Sequence, residues 1–461
     1  MNRPLLNIGT FIINILLVII PFSPGKSFAD YPLLKKYIIE FNIHAGEKSF
    51  SDNIYRGEEG LLQIRPEIGA SLGLKIFIDQ NYKEAVRLVE QAERSLETAK
   101  SNLYTKKKEN IPGEYSRLIT ENFLDYKSRI NSAKIKFKAY RSKLSNEIDE
   151  RLDEDKCLLI MDRLIDESIR KTDSSLRDAL GYFYNLCHGV DNHNFPITSE
   201  NVRFVNFVFS NLLNTSHKSV LGQFCLDREE DFDSSRLVGN WKTVLDENAS
   251  RLIPIIEDVL KKSGDEVRRI DPLLFISLMR RESNFDPDAI SYVGAAGLTQ
   301  IMPQTAKGIG MENIHRPAYF DEAISILKRE RDLRREAKSF LFRIKNLDGI
   351  KHAEHARNLI QESLKIAKKR ESLFNVYKKE LLEKRNDDRL IPDKAIEYGL
   401  RYFAKMMKAQ NGDISLALAS YNAGPHRIEE YNGIPPFEET IGFRNQVLKF
   451  YRDYFEKSKA R

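Results

Sequence analysis

The chain has 461 residues, 41% of them hydrophobic and 30% charged, with a net charge of +6. That length exceeds one ordinary hydrophobic core, so at least two folded units are expected, and 23 Gly with 16 Pro is too little turn material for an all-β protein. The basic residues are interleaved with acids, which argues against nucleic acid as a partner, and three cysteines are too few for a disulfide framework.

Arg3 precedes an apolar run from Ile8 to Phe22, and Ser27-Phe28-Ala29 then stands before Asp30. A positive start, an apolar middle and small residues at the cleavage positions predict a signal peptide over 1–29 and a mature protein in the periplasm or another extracytoplasmic space. An uncleaved N-terminal membrane anchor is the alternative.

The mature chain reads as all-α. Ala85, Leu88, Val89, Ala92 and Leu96 recur at helical spacing within Asn81 to Lys108, a second such stretch runs from Tyr115 to Leu152, and Ile111-Pro112-Gly113 between them predicts a long antiparallel hairpin. From Cys157 to Asp233 the pattern is more apolar and aromatic, as in a globular helical core. Residues 30–246 are therefore read as a helical domain of unknown role, ending in a charged surface connection, Asp227 to Asp231. Cys157, Cys187 and Cys225 lack Cys-x-x-Cys spacing, and His188 and His193 have no ligand partners at helical spacing. No metal and no cofactor are expected, and the thiols read as buried small hydrophobes with one optional disulfide.

A second domain is expected over 247–461. Asp271-Pro272 begins a helix, with Asp as N-cap and Pro at the first helical position, and Leu274, Ile276, Leu278 and Met279 line an apolar face. The helix delivers Glu282 near its C-terminal end, where the negative end of the helix dipole disfavours ionisation and favours the protonated form that a general acid needs. From about Asp321 to Arg385 the texture changes to a Lys-, Arg- and Glu-rich stretch broken once at Asn346-Leu347-Asp348-Gly349, which predicts a second helical hairpin inserted into this domain. It is expected to be self-contained and removable.

Three strings around these features are specific: Arg281-Glu282-Ser283-Asn284-Phe285-Asp286-Pro287, then Gly294-Ala295-Ala296-Gly297-Leu298-Thr299-Gln300-Ile301-Met302-Pro303, then Ala419-Ser420-Tyr421-Asn422-Ala423-Gly424-Pro425. In this order they resemble the SLT-type catalytic domain of soluble lytic transglycosylases, a lysozyme-like helical fold, over about Ile253 to Phe320 and Leu390 to Tyr454. The resemblance implies a lytic transglycosylase acting on peptidoglycan glycan strands at the MurNAc-GlcNAc β-1,4 bond. Glu282 is then the catalytic acid/base, while Ser283, Gln300, Tyr421 and Asn422 position the substrate. Glu439, in the Glu439-Thr440 pair, orients substrate or structure.

In the family, the 6-hydroxyl of the muramic acid attacks its own anomeric carbon and leaves a 1,6-anhydro sugar, so one carboxylate suffices where ordinary hydrolysis uses two. Three positions depart from the family pattern: Thr299 where Met is common, Ser420 where Ala is common, and Phe443 where Tyr is usual. The first two are expected to make the surroundings of Glu282 more polar and to weaken the desolvation that raises its pKa. The third removes a hydrogen bond at the cleft. A hydrolytic muramidase and a non-catalytic wall-binding scaffold compete with this reading, the latter with a protein partner on the hairpins.

Overall fold

The computed structural model describes residues 32–52, 55–106, 111, 113–172, 175–190, 195–214, 242 and 245–459. The signal-peptide segment, His193, Cys225 and the connection from Asp227 to Asp231 lie outside the described residues. The described chain is all-α, with β-structure limited to three isolated bridges.

The N-terminal half contributes α1 (Pro32–Asp52), α2 (Pro66–Ser71), α3 (Gln80–Tyr104), α4 (Glu114–Arg141), α5 (Glu154–Lys171), α6 (Leu176–His188) and α7 (Val202–Asn214). Asp79, Asp153 and Ser175 cap α3, α5 and α6 by accepting from backbone N–H groups that the first turn leaves unpaired. The predicted hairpin is α3 with α4, but α4 stops at Arg141 instead of running to Leu152. The reason is Arg151, which is wholly buried: it donates to Asp149, to Gly57 O at 2.6 Å, to Ile64 O at 2.9 Å and to Tyr140 Oη at 2.7 Å. A continued helix would carry that guanidinium away from the loop it clasps.

The C-terminal half contributes α8 (Glu247–Ser250), α9 (Ile253–Lys262), α10 (Asp265–Arg268), α11 (Pro272–Ser283), α12 (Pro303–Gly308), α13 (Ala318–Arg343), α14 (Ile350–Lys384), α15 (Pro392–Ala409), α16 (Ile414–Ala423), α17 (Pro425–Tyr431) and α18 (Glu438–Lys459). Its core gathers α11, α15, α16 and α18 around Leu273, Phe275, Leu278, Phe403, Leu418 and Val447. A second core, of the N-terminal half, takes in Ala419, Ile428, Ile434 and Ile441 from the C-terminal half, so apolar packing runs across the junction. Buried ion pairs fix the register there. Arg177 donates to Asp413 at 2.8 Å and Arg444 to Asp178 at 2.6 Å. Burial pushes the Asp178 carboxyl up, but Arg444 and Arg452 outweigh it and hold the group below the ordinary carboxylate range.

The second hairpin, α13 with α14, begins at Ala318, slightly before the expected boundary. It does not stand alone. Its outer half packs on the first hairpin, Leu333, Ala337, Leu341 and Ile360 against Leu103, Ile119 and Phe123. Arg357 donates to Asn102 O at 2.9 Å, Gln361 to Leu103 O at 2.9 Å, and Lys127 to Ile344 O at 2.6 Å. The two hairpins are thus partners of one another within the chain, and excision of one would expose apolar surface on the other. Cys157 and Cys187 are free and buried, so they do not supply the optional disulfide.

Candidate active site

Asp271 accepts from Leu273 N at 2.7 Å and starts α11 as the sequence predicts. The helix is buried from Pro272 to Met279 and ends at Asn284, whose left-handed φ of 50° turns the chain out of the last turn. Glu282 lies in that last turn, half-buried. Burial, the largest cause, pushes its carboxyl from 4.5 up to about 8; Arg281 opposes the shift and the nearby Glu439 adds to it. Desolvation therefore dominates over the helix-end argument made from sequence.

Ser283 Oγ donates to Leu298 O at 3.0 Å and so ties the end of α11 to the loop that follows. That loop, Gly294 to Ile301, is built on backbone that only glycine tolerates well: Gly294 and Gly297 have φ of 88° and 75°. A Cβ on Gly297 would come within 1.7 Å of Arg389 O. Gly297→Ala is accordingly expected to destabilise the protein by about 3 kcal/mol or more, read as a drop in the chemical-denaturation midpoint. Gln300 also has a left-handed φ, 46°, and its Nε2 donates to Ala289 O and Gly297 O, both at 2.9 Å. Its amide nitrogen is thus committed to the loop.

Tyr421 is delivered by α16, which is capped by Asp413. Its hydroxyl donates to Thr299 O at 2.9 Å, and its ring lies parallel to Phe443 at 6.4 Å. Burial raises the phenol well above its usual range, and Glu282 is the next contributor, which puts the two side chains in each other's field. Asn422 accepts from Thr440 Oγ1 at 2.7 Å, linking α16 to the first turn of α18, where Glu439 is exposed. The candidate residues are thus brought together at the junction of α11, the Gly294–Ile301 loop, α16 and the start of α18.

The departures from the family pattern are accommodated differently from expectation. Thr299 Oγ1 is buried and donates to Ala395 O at 3.2 Å. Ser420 is fully buried, and among the described residues its hydroxyl finds no hydrogen-bond partner. Neither is among the groups that shift the Glu282 carboxyl, for which burial is the largest cause. Phe443 in place of Tyr packs as a buried ring beneath Tyr421, with the Arg281 guanidinium 5.9 Å from its centre.

One supporting group was not found by sequence reasoning. Arg389, buried, donates to Asp387, to Gly294 O at 3.0 Å, to Ile301 O at 3.1 Å and to Tyr377 Oη at 2.6 Å. It closes the ends of the loop that carries Gln300. The Asp387-Asp388-Arg389-Leu390 string was its only local signal.

One desolvated acid, among helices and a glycine-built loop, defines the class as a helical domain suited to acid/base chemistry. Residues 261–326 and 360–441 match the Transglycosylase SLT domain family. The intervening residues, 327–359, are the outer part of the second hairpin. Curated relatives called membrane-bound lytic murein transglycosylase C are similar over 58 residues, with 41% identity in Histophilus somni and 40% in Haemophilus influenzae. That stretch is 13% of this chain and 15% of either relative. Among solved structures, an inactive mutant of lytic transglycosylase Slt from Pseudomonas aeruginosa aligns over 93% of this chain and 73% of its own at 13% identity, with a TM-score of 0.25. The 70 kDa soluble lytic transglycosylase from Escherichia coli aligns over 92% and 71% at 13% identity, with a TM-score of 0.24. Superposition at that level is no evidence of a shared arrangement. Among the described residues, no helix is long and apolar enough to cross a membrane.

Proposed function

We propose that the chain is an exported lytic transglycosylase, released into the periplasm by cleavage after Ala29, which cuts the MurNAc-GlcNAc β-1,4 bond of peptidoglycan and leaves 1,6-anhydromuramic acid ends. The observation that carries this reading is Glu282, held at about 8 by burial and so protonated at neutral pH. It first gives its proton to the glycosidic oxygen. It then takes one from the 6-hydroxyl as that oxygen closes on the anomeric carbon. Tyr421 and Asn422 position the muramic acid opposite Glu282, and Ser283 holds the helix end against the loop. Gln300, with its nitrogen bound to the loop, meets the glycan through its carbonyl oxygen.

Glu439 is the one observation that favours hydrolysis, because its charge is felt at Glu282 and a hydrolase needs a second carboxylate. Its exposure at the start of α18 suits substrate orientation better. Mass spectrometry of purified peptidoglycan after incubation with the mature protein separates the readings: anhydro ends support transglycosylation, and reducing ends alone would replace it with a muramidase. Unaltered peptidoglycan would favour the scaffold reading.

The acid role also fixes a pH dependence. Because the free enzyme works with Glu282 protonated, kcat/KM is expected to fall as pH rises through about 8. A profile flat to pH 10 would mean that another group supplies the proton.

A further inference from the structure

The loop that carries Gln300 has a counterpart in the N-terminal half. Tyr55-Arg56-Gly57-Glu58-Glu59-Gly60-Leu61-Leu62-Gln63-Ile64 reads against Tyr292-Val293-Gly294-Ala295-Ala296-Gly297-Leu298-Thr299-Gln300-Ile301, and Asp149-Glu150-Arg151-Leu152 against Asp387-Asp388-Arg389-Leu390. The geometry repeats with the letters. Gly57, Gly60 and Gln63 have φ of 93°, 75° and 48°, where Gly294, Gly297 and Gln300 have 88°, 75° and 46°. Gln63 Nε2 donates to Gly60 O at 2.8 Å, as Gln300 does to Gly297 O at 2.9 Å. A Cβ on Gly60 would meet Arg151 O at 1.7 Å, and one on Gly297 meets Arg389 O at the same distance. Arg151 clasps Gly57 O, Ile64 O, Asp149 and Tyr140 just as Arg389 clasps Gly294 O, Ile301 O, Asp387 and Tyr377.

The order of elements repeats as well. A helix, this loop with a short helix after it, a long hairpin and the arginine turn run from α1 to α4 and again from α11 to α14; three helices, α5 to α7, follow in the first half and four, α15 to α18, in the second. The halves also exchange equivalent contacts: Asn206 of α7 donates to Ile434 O at 2.8 Å, and Asn445 of α18 donates to Ile197 O at 2.8 Å. Such reciprocity is what a two-fold relation between two copies produces.

The register of the repeat places the catalytic position. Asn42 donates to Leu61 O at 3.0 Å, as Ser283 does to Leu298 O at 3.0 Å, and the shared Pro-Leu-Leu helix starts pair Asn42 with Glu282, so Phe41 and Asn42 together span the position of Glu282. Phe183 stacks on Phe204 at 6.1 Å, as Tyr421 does on Phe443 at 6.4 Å, so Tyr184 matches Asn422 and Glu200 matches Glu439. The first half has therefore lost its acid.

The side chains around that position keep their exposure. Phe41, Gln63 and Tyr184 are half-buried like Glu282, Gln300 and Asn422, and Glu200 is exposed like Glu439. Phe41 and Tyr184 flank Phe204, with ring centres at 5.2 and 5.4 Å, and make an aromatic floor. Two acids border it: the Tyr184 phenol is pushed up to about 12 by burial first, and then by the facing carboxylates of Glu200 and Glu58.

We propose that the N-terminal half is a second copy of the catalytic fold whose cleft binds the glycan backbone without cutting it. Pyranose rings lie against Phe41 and Tyr184, and sugar hydroxyl and acetamido groups donate to Glu58 and Glu200. An apolar floor with a few placed polar groups is the ordinary make-up of a small-ligand site. Glu282 alone then does the chemistry while a strand is held at two places. This rests on the glycan-cleaving reading of the first-described cleft.

The test is photolabelling of the full mature chain carrying Glu282→Gln with a diazirine-bearing N-acetylglucosamine hexamer, read by peptide mass spectrometry with and without excess unlabelled hexamer. Two competable clusters are expected, one near residue 282 and Tyr421, the other in peptides holding Phe41, Tyr184 or Glu200. Adding Tyr184→Ala is expected to reduce the second cluster at least fivefold and to leave the first within twofold. Glu200→Gln, at an exposed position, provides the same readout without risk to the fold. Label confined to the first cluster, or N-terminal label that competitor and both substitutions leave unchanged, overturns the proposal. Failure of the glycan-cleaving reading would show separately, as absence of any cleavage product from the unsubstituted enzyme.

Discussion

Glu282→Gln is expected to lower the rate of glycan cleavage by at least about a hundredfold while the protein stays folded. The substituted amide keeps the size of the side chain but carries no titratable proton for the leaving oxygen. The same change has a stability signature with a definite sign. In the folded protein Glu282 holds its proton up to about pH 8, whereas an unfolded chain releases it near the ordinary 4.5. Between those values the folded state binds the extra proton, so stability attributable to this group is full below pH 4.5 and is lost as pH rises through 8. Gln is neutral throughout. The variant should therefore melt higher than the parent at pH 8 and above, and the advantage should shrink toward pH 5. A variant that is inactive and also less stable at every pH would have lost activity through misfolding, and a folded variant that still cleaves would remove Glu282 from its role.

The second large effect concerns the buried arginine clasps. Arg389→Met leaves the buried Asp387 carboxylate unpaired and strips Tyr377, Gly294 O and Ile301 O of their donor, and breaking such a pair costs about 3–5 kcal/mol. Arg151→Met removes the matching set in the N-terminal half and should destabilise to a similar degree. The two should part in kinetics. Arg389 shapes the loop whose Thr299 carbonyl receives the Tyr421 hydroxyl, so the folded fraction of Arg389→Met should lose kcat, whereas that of Arg151→Met should keep it. Equal kinetic damage from both would mean that the halves do not act separately.

What could be read in the sequence was local. Asp271-Pro272 specifies the start of α11, the three strings around Glu282, Gln300 and Tyr421 specify the site, and helical spacing with a Pro-Gly or Asp-Gly break specifies each hairpin. The unread features depend on pairing across long separations. Leu103, Ile119 and Phe123 look like the seam of their own hairpin, and nothing in their spacing says that Leu333 and Leu341 pack on them. Arg389 and Arg151 sit among many charged residues, and only burial distinguishes them. The repeat escaped for a related reason. Its most recognisable residue, the acid, has no counterpart at Phe41 or Asn42, and the remaining identities include a few glycines, one Gln and an Arg. That the Thr299 hydroxyl is spent on Ala395 O is likewise a long-range pairing that no local spacing reveals.

The reaction class is tested most directly by digesting peptidoglycan in water enriched in the heavy stable isotope of oxygen and analysing the new muramic acid ends by mass spectrometry. Intramolecular attack by the 6-hydroxyl uses no water, so the account predicts ends lighter than hydrolytic ends by one water and free of the isotope. These ends should be missing when Glu282→Gln replaces the parent enzyme. Reducing ends that carry the heavy oxygen, formed at the rate of strand cleavage, would contradict it.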